Sequence, residues 1–173
     1  AERASDSKIL AEAALTLFDA GTPERALSVI DKIDLAKLDS GTAYNLLVRH
    51  SETLRENDPA TSIGILKKAV ETYPGEARPK DQVQLLAIYL ANDDLPAAQR
   101  LFETMDKASP LTSQATVMLG DYHYEKKEFA AAIDMYDATT NAAGRGDKDA
   151  EWAAYQKANA LAHTSDEIQA LAL

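Results

Sequence analysis

The sequence predicts an all-α fold, an α-solenoid of stacked antiparallel helix pairs, and three observations carry that prediction. Apolar residues recur at helical spacing, with no sustained alternation of apolar and polar positions. Ala is the commonest residue, and it is both the best helix former and a side chain small enough for a helix–helix contact. One pattern of small and large residues also returns every 34 to 36 positions.

The elements follow in order. Ile9, Ala13 and Leu17, with Leu10, Ala14 and Phe18 one step round, make the stripe of a helix over 5–20. Ala20-Gly21-Thr22-Pro23 ends it and starts the next, since Thr22 can cap and Pro23 loses no hydrogen bond at the first helical position. Leu27, Ile30 and Ile33 then mark a helix over 23–34. Leu46, Leu47 and Leu54 mark 41–56, and Asn57-Asp58-Pro59 repeats the stop-and-cap device. Ile63, Leu66, Ala69 and Val70 mark 59–72, closed by Tyr73-Pro74-Gly75. Helices over 79–91 and 95–108 are separated by Asn92-Asp93-Asp94-Leu95-Pro96, and Ser109-Pro110 closes the second. The pattern continues as helices over 112–126, 129–142 and 148–163, with a further start at 166. Loops this short make neighbouring helices antiparallel.

Laying the second helix of each pair on the next aligns Ala26, Ser62, Ala98 and Ala132. Large residues follow in register at Ile30, Leu66, Phe102 and Tyr136, and three positions further on Ile33, Ala69, Met105 and Thr139 align. The closing positions read Leu38, Pro74, Pro110 and Gly144. In the first helices Ala13, Leu85 and Leu119 align, followed by Ala14, Leu86 and Gly120. A small residue facing a large one lets two helices approach closely. One hairpin alone leaves its apolar face bare, and stacking hairpins buries it.

The unit Leu119-Gly120-Asp121-Tyr122-His123-Tyr124, then Phe129, Ala132-Ile133 and Tyr136, resembles the tetratricopeptide repeat family. Leu85, Tyr89, Ala98, Phe102 and Pro110 match it a second time. The unit over 43–76 is degenerate, with His50 in place of the small residue of its first helix. The resemblance implies a right-handed superhelix in one domain over 1–173, with units at about 7–40, 43–76, 79–112 and 113–146 and a partial fifth over 147–173. The fifth unit reads as cut short, so the chain is expected to be a fragment of a longer protein or to pack against another chain there.

Composition narrows the chemistry. With no Cys there are no disulfides, thiolate zinc sites or Cys nucleophiles. A net charge of −10 argues against nucleic acid and anionic membrane as partners. No apolar run is long enough to insert into a membrane. Phosphate-loop, Gly-x-Ser-x-Gly and His-Glu-x-x-His motifs are absent. His50, His123 and His163 are isolated in sequence and read as structural, and Asp93-Asp94 and Asp147, Asp149 and Glu151 sit at helix starts, where negative charge complements the dipole. Arg145-Gly146-Asp147 spells an adhesion tripeptide, but Gly146 in a turn and Asp147 as a cap account for it. No catalytic, cofactor-binding or metal site is therefore expected.

The expected function is a non-catalytic protein–protein interaction scaffold that holds a peptide or helix in a concave groove lined by the first helices. By carry-over of repeat position, the groove would present Tyr44, Leu47, Ser51, Arg55, Lys80, Gln84, Gln114, Val117, Asp121 and Tyr124. The family's carboxylate-gripping pattern is not matched, because those positions hold residues such as Ala11, Leu15, Leu47, Ser51, Val83 and Ala87. The alternatives are a pentatricopeptide-like RNA binder, suggested by the run from Ala97 to Met105, and a regulatory domain of a larger enzyme or of a secretion or envelope-assembly protein. Self-association through the unfinished last unit is a further expectation. The start without Met and the absence of Cys lean towards a bacterial periplasmic protein over a cytoplasmic one.

Overall fold

The computed structural model describes the backbone of residues 2–142 and 147–171 and the side chains of 6–141 and 147–164. Its described residues form α-helices joined by short turns, with no strand among them. In order these are α1 (Glu2–Asp19), α2 (Pro23–Ile30), a 3-10 turn (Leu35–Lys37), α3 (Ser40–Leu54), α4 (Pro59–Thr72), α5 (Pro79–Ala91), α6 (Leu95–Thr104), α7 (Pro110–Glu125), α8 (Phe129–Ala142) and α9 (Lys148–Leu171). Among the described residues no helix is long and apolar enough to cross a membrane. The chain divides into two compact units, Ala1–Asp81 and Gln82–Leu173, and the division falls inside α5.

In the first unit α1 packs on α2 and α3 on α4. One core cluster joins Ala11, Ala14 and Leu46, with Phe18, Ile30 and Ile33 against it. A second joins Tyr44, Leu47, Val48 and Ala69, with Ile65 and Tyr73 at its edge. In the second unit α8 packs against both α7 and α9. Its cluster of Val117, Ala132, Tyr136 and Ala153 draws one or two side chains from each of those three helices.

The aligned small residues of the second helices share one environment. Ala26, Ala98 and Ala132 are fully buried and Ser62 nearly so. In α7 and α8 the close approach is measurable, because a Cβ built at Gly120 would stand 2.6 Å from the Tyr136 ring. Where Ser replaces Ala, the contact is polar: Ser51 Oγ donates to the Ser62 carbonyl at 2.9 Å and Ser62 Oγ to the Ser51 carbonyl at 2.7 Å.

The turns between paired helices repeat as well. The Thr22 amide reaches back to the Leu17 carbonyl, Asp94 to Tyr89, and Glu128 to His123, each at 2.9 to 3.0 Å. In each turn the preceding residue is left-handed: Gly21 at φ 70°, Asp93 at 57° and Lys127 at 61°. This is the hydrogen-bond pattern by which a helix ends on a left-handed residue. The second pair departs from it. Asp58 donates to Leu54, four residues back, and Asn57 stays out of the left-handed region. Asp58 and Asp94 then cap α4 and α6, accepting from the amides of Thr61 and Ala97.

Three boundaries differ from the sequence expectation. The second helix ends at Ile30 and not near 34, because the Lys32 and Ile33 amides tighten to three-residue turns and Asp34 caps the 3-10 turn instead. The sixth ends at Thr104 and not 108. Met105 is extended and buried, Lys107 Nζ takes the Phe102 carbonyl at 2.8 Å, and Asp106 nucleates the next turn. The break expected near 164 is absent, and α9 runs on to Leu171. Ser and Asp can sit inside a helix when neither Gly nor Pro stops it, and none stands between Lys148 and Leu171. Gly144, Arg145 and Gly146 lie outside the described residues. Asp147 caps α9 as expected, accepting from the Asp149 amide at 2.9 Å.

Candidate binding surface

The third helix decides which residues the first unit can offer a partner. Its apolar stripe turns inward, so Tyr44, Leu47 and Ser51, expected in a groove, are buried. Leu47 packs in the core and Ser51 is bonded to Ser62. Tyr44 is a structural tyrosine. Its hydroxyl donates to Asp81 Oδ2 at 2.6 Å and accepts from the Arg78 amide at 3.0 Å. Burial, with the Asp81 carboxylate beside it, pushes the Tyr44 hydroxyl up to about 12. These three residues are corrected from groove to core, and the physical reason is register: a helix has one apolar stripe, and here it faces α4.

The surface that α3 exposes lies one residue further round, at Asn45, Arg49 and Glu52. With Leu15 and Asp19 of α1, and with Arg78 and Lys80 around the start of α5, they line a cavity of about 420 Å³. Arg49 pairs with Asp19 at 2.7 Å and Lys80 with Glu52 at 3.4 Å. Arg78 Nε donates to Asp81 Oδ2 at 2.7 Å, and that carboxylate is only 1% exposed as a residue. Of the expected residues, Lys80 therefore does face a concave polar surface. Arg55 is exposed and lines a separate cavity of about 410 Å³ with Pro23, Glu24, Leu27 and Asn57. The i, i+4, i+7 spacing of Asn45, Arg49 and Glu52 was the signal for the outward stripe. The Tyr44–Asp81 bond joins positions 37 apart and has no local signature.

In the second unit Val117 is core, which corrects its groove assignment. Gln114 is exposed and Gln84 half-buried. Asp121 serves the packing of its neighbours, accepting from the Tyr136 hydroxyl at 2.7 Å and from Trp152 Nε1 at 3.2 Å. Burial, and then the Asp121 bond, raise the Tyr136 hydroxyl. Tyr124 is half-buried and meets Phe129 edge-on at 5.5 Å and His163 at 5.9 Å, while Phe129 and His163 stack at 4.8 Å. Glu125 and Lys127 complete the lining of that corner. His123 is buried and bonds Glu128 across the α7–α8 turn at 2.6 Å. His50 is held below its ordinary value by burial, partly opposed by Asp31.

No group of three or more His, Asp or Glu able to hold a metal ion occurs among the described residues. No protein-family model matches the chain, and neither a curated protein nor a solved structure matches it.

Proposed function

We propose that this chain is a non-catalytic protein–protein interaction scaffold, an α-solenoid of tetratricopeptide-like hairpins that holds a peptide or helix of a partner against the exposed faces of its first helices. The observation that carries the reading is the shared burial of Ala26, Ser62, Ala98 and Ala132, which supports one hairpin used four times. Repeats of that kind spend their sequence on mutual packing and leave a surface of exposed, variable side chains for binding.

The first unit's share of that surface is the polar cavity of Asn45, Arg49, Glu52 and Lys80. Its mixed charge suits a segment bound through side-chain and backbone hydrogen bonds. The test is site-specific photo-crosslinking in cells of the parent organism, with the reactive side chain placed at Asn45, at Glu52, or at exposed Lys68 on α4 as a control. A discrete crosslinked protein from the first two sites and none from Lys68 is the expected result. Equal labelling from all three would overturn the reading.

A further inference from the structure

In a chain of net charge −10, three cations converge on one cavity of the first unit. Arg49 reaches it from α3, Arg78 precedes α5, and Lys80 lies in its first turn. The helix N-terminus adds its own positive potential there. Arg78 is held in place from behind: its Nε is bonded to the buried Asp81, which also takes the Tyr44 hydroxyl, and its guanidinium carbon lies 5.7 Å from the Tyr44 ring centroid. A fork fixed at Nε keeps its terminal nitrogens for a second acceptor.

The other two cations are held more loosely. The Asp19 side chain is 69% exposed, and the Lys80–Glu52 pair is long at 3.4 Å. Exposed pairs of this kind contribute little and are readily exchanged. Resting on the scaffold reading above, we infer that the cavity lined by Asn45, Arg49, Arg78 and Lys80 binds an oxyanion group, carboxylate or phosphate, carried by the partner segment, with Asp19 and Glu52 as internal competitors that the ligand displaces. Asp81 is a positioning residue that aims Arg78.

The experiment follows the arginine Nε–Hε and backbone amide signals by NMR while the full chain is titrated, in separate arms, with inorganic phosphate, succinate and, as a salt control, chloride. Saturable shifts confined to Arg49, Arg78 and Lys80, in either oxyanion arm but not with chloride, are expected. The tighter arm identifies phosphate or carboxylate as the preferred group. Asp19→Asn and Glu52→Gln should each tighten binding about 2- to 5-fold, the size of one exposed ion pair. Arg49→Gln should weaken it. Asp81→Asn should weaken it and broaden the Arg78 Nε–Hε signal, while Arg49→Gln leaves that signal sharp. Non-saturable shifts, or an affinity that Asp19→Asn and Glu52→Gln leave unchanged, overturn the inference. Because the probes are small ions, that failure leaves the crosslinking result, and the scaffold reading, to stand or fall separately.

Discussion

The α carbon of Gly120 faces the Tyr136 ring so closely that a methyl group there would sit 2.6 Å from one ring carbon and 2.9 Å from another. Tyr136 cannot easily retreat, since it is fully buried and its hydroxyl is tied to Asp121. Ala is better than Gly within a helix by about 1 kcal/mol. Gly120→Ala is nonetheless expected to destabilise the fold by about 1 to 3 kcal/mol, because overpacking outweighs propensity. Chemical denaturation checks the sign. Adding Tyr136→Leu should restore part of the loss, which a general helix defect would not allow.

Tyr44 and Asp81 are expected to matter for stability before they matter for binding. Tyr44→Phe leaves Asp81 buried with one partner fewer, at a cost of about 1 to 3 kcal/mol. The same variant should change the alkaline limb. The Tyr44 hydroxyl is raised from 10.0 to about 12, so the fold favours its neutral form. That contribution is complete below pH 10 and is lost as pH rises towards 12. Thermal melts from pH 8 to 12 should fall less steeply for Tyr44→Phe than for the native chain.

Lys127 adopts φ 61° without being glycine. Its side chain lies in the exposed α7–α8 turn. Lys127→Gly should stabilise the chain by about 0.5 to 1 kcal/mol by removing that strain. Asp93→Gly should gain less, because Asp93 also pairs with Lys126 and accepts from Tyr122. Paired melting curves of the two variants separate these cases.

Ser51 and Ser62 each donate a hydroxyl hydrogen to the other's backbone carbonyl, so the two bonds are reciprocal. Replacing both with Ala removes the donors and leaves the register of Ala26, Ala98 and Ala132. The double variant loses two neutral hydrogen bonds while both carbonyl acceptors stay in place, so it is expected to cost about 1 to 3 kcal/mol. Urea midpoints of the two single variants and the double variant measure it.

The helices were legible because punctuation and period agreed. Asp58-Pro59 and Asp94-Leu95-Pro96 start α4 and α6 where the sequence places them. The small-to-large register was legible too, since Ala98 and Ala132 are buried as their alignment implies. What failed was rotation about the helix axis. Tyr44 reads equally well as a groove aromatic or as core, and only its bond to Asp81, closed by the chain coming back at α5, decides between them. Val117 failed in the same way, because the face it occupies is covered by residues of α8 and α9. The long α9 was missed because Thr164-Ser165-Asp166 looks like a cap, yet nothing there forces the chain out of the helix.

The most direct test of the binding surface compares the two stripes of α3. Partner capture from lysate of the parent organism would be quantified with Arg49→Glu, on the exposed stripe, and with the Ser51→Ala, Ser62→Ala double variant, at the buried stripe and the α4 residue it meets, after circular dichroism confirms that both are folded. The account predicts capture lost with Arg49→Glu and retained with the double variant. Capture unchanged by Arg49→Glu, or lost only with the buried pair, would contradict it.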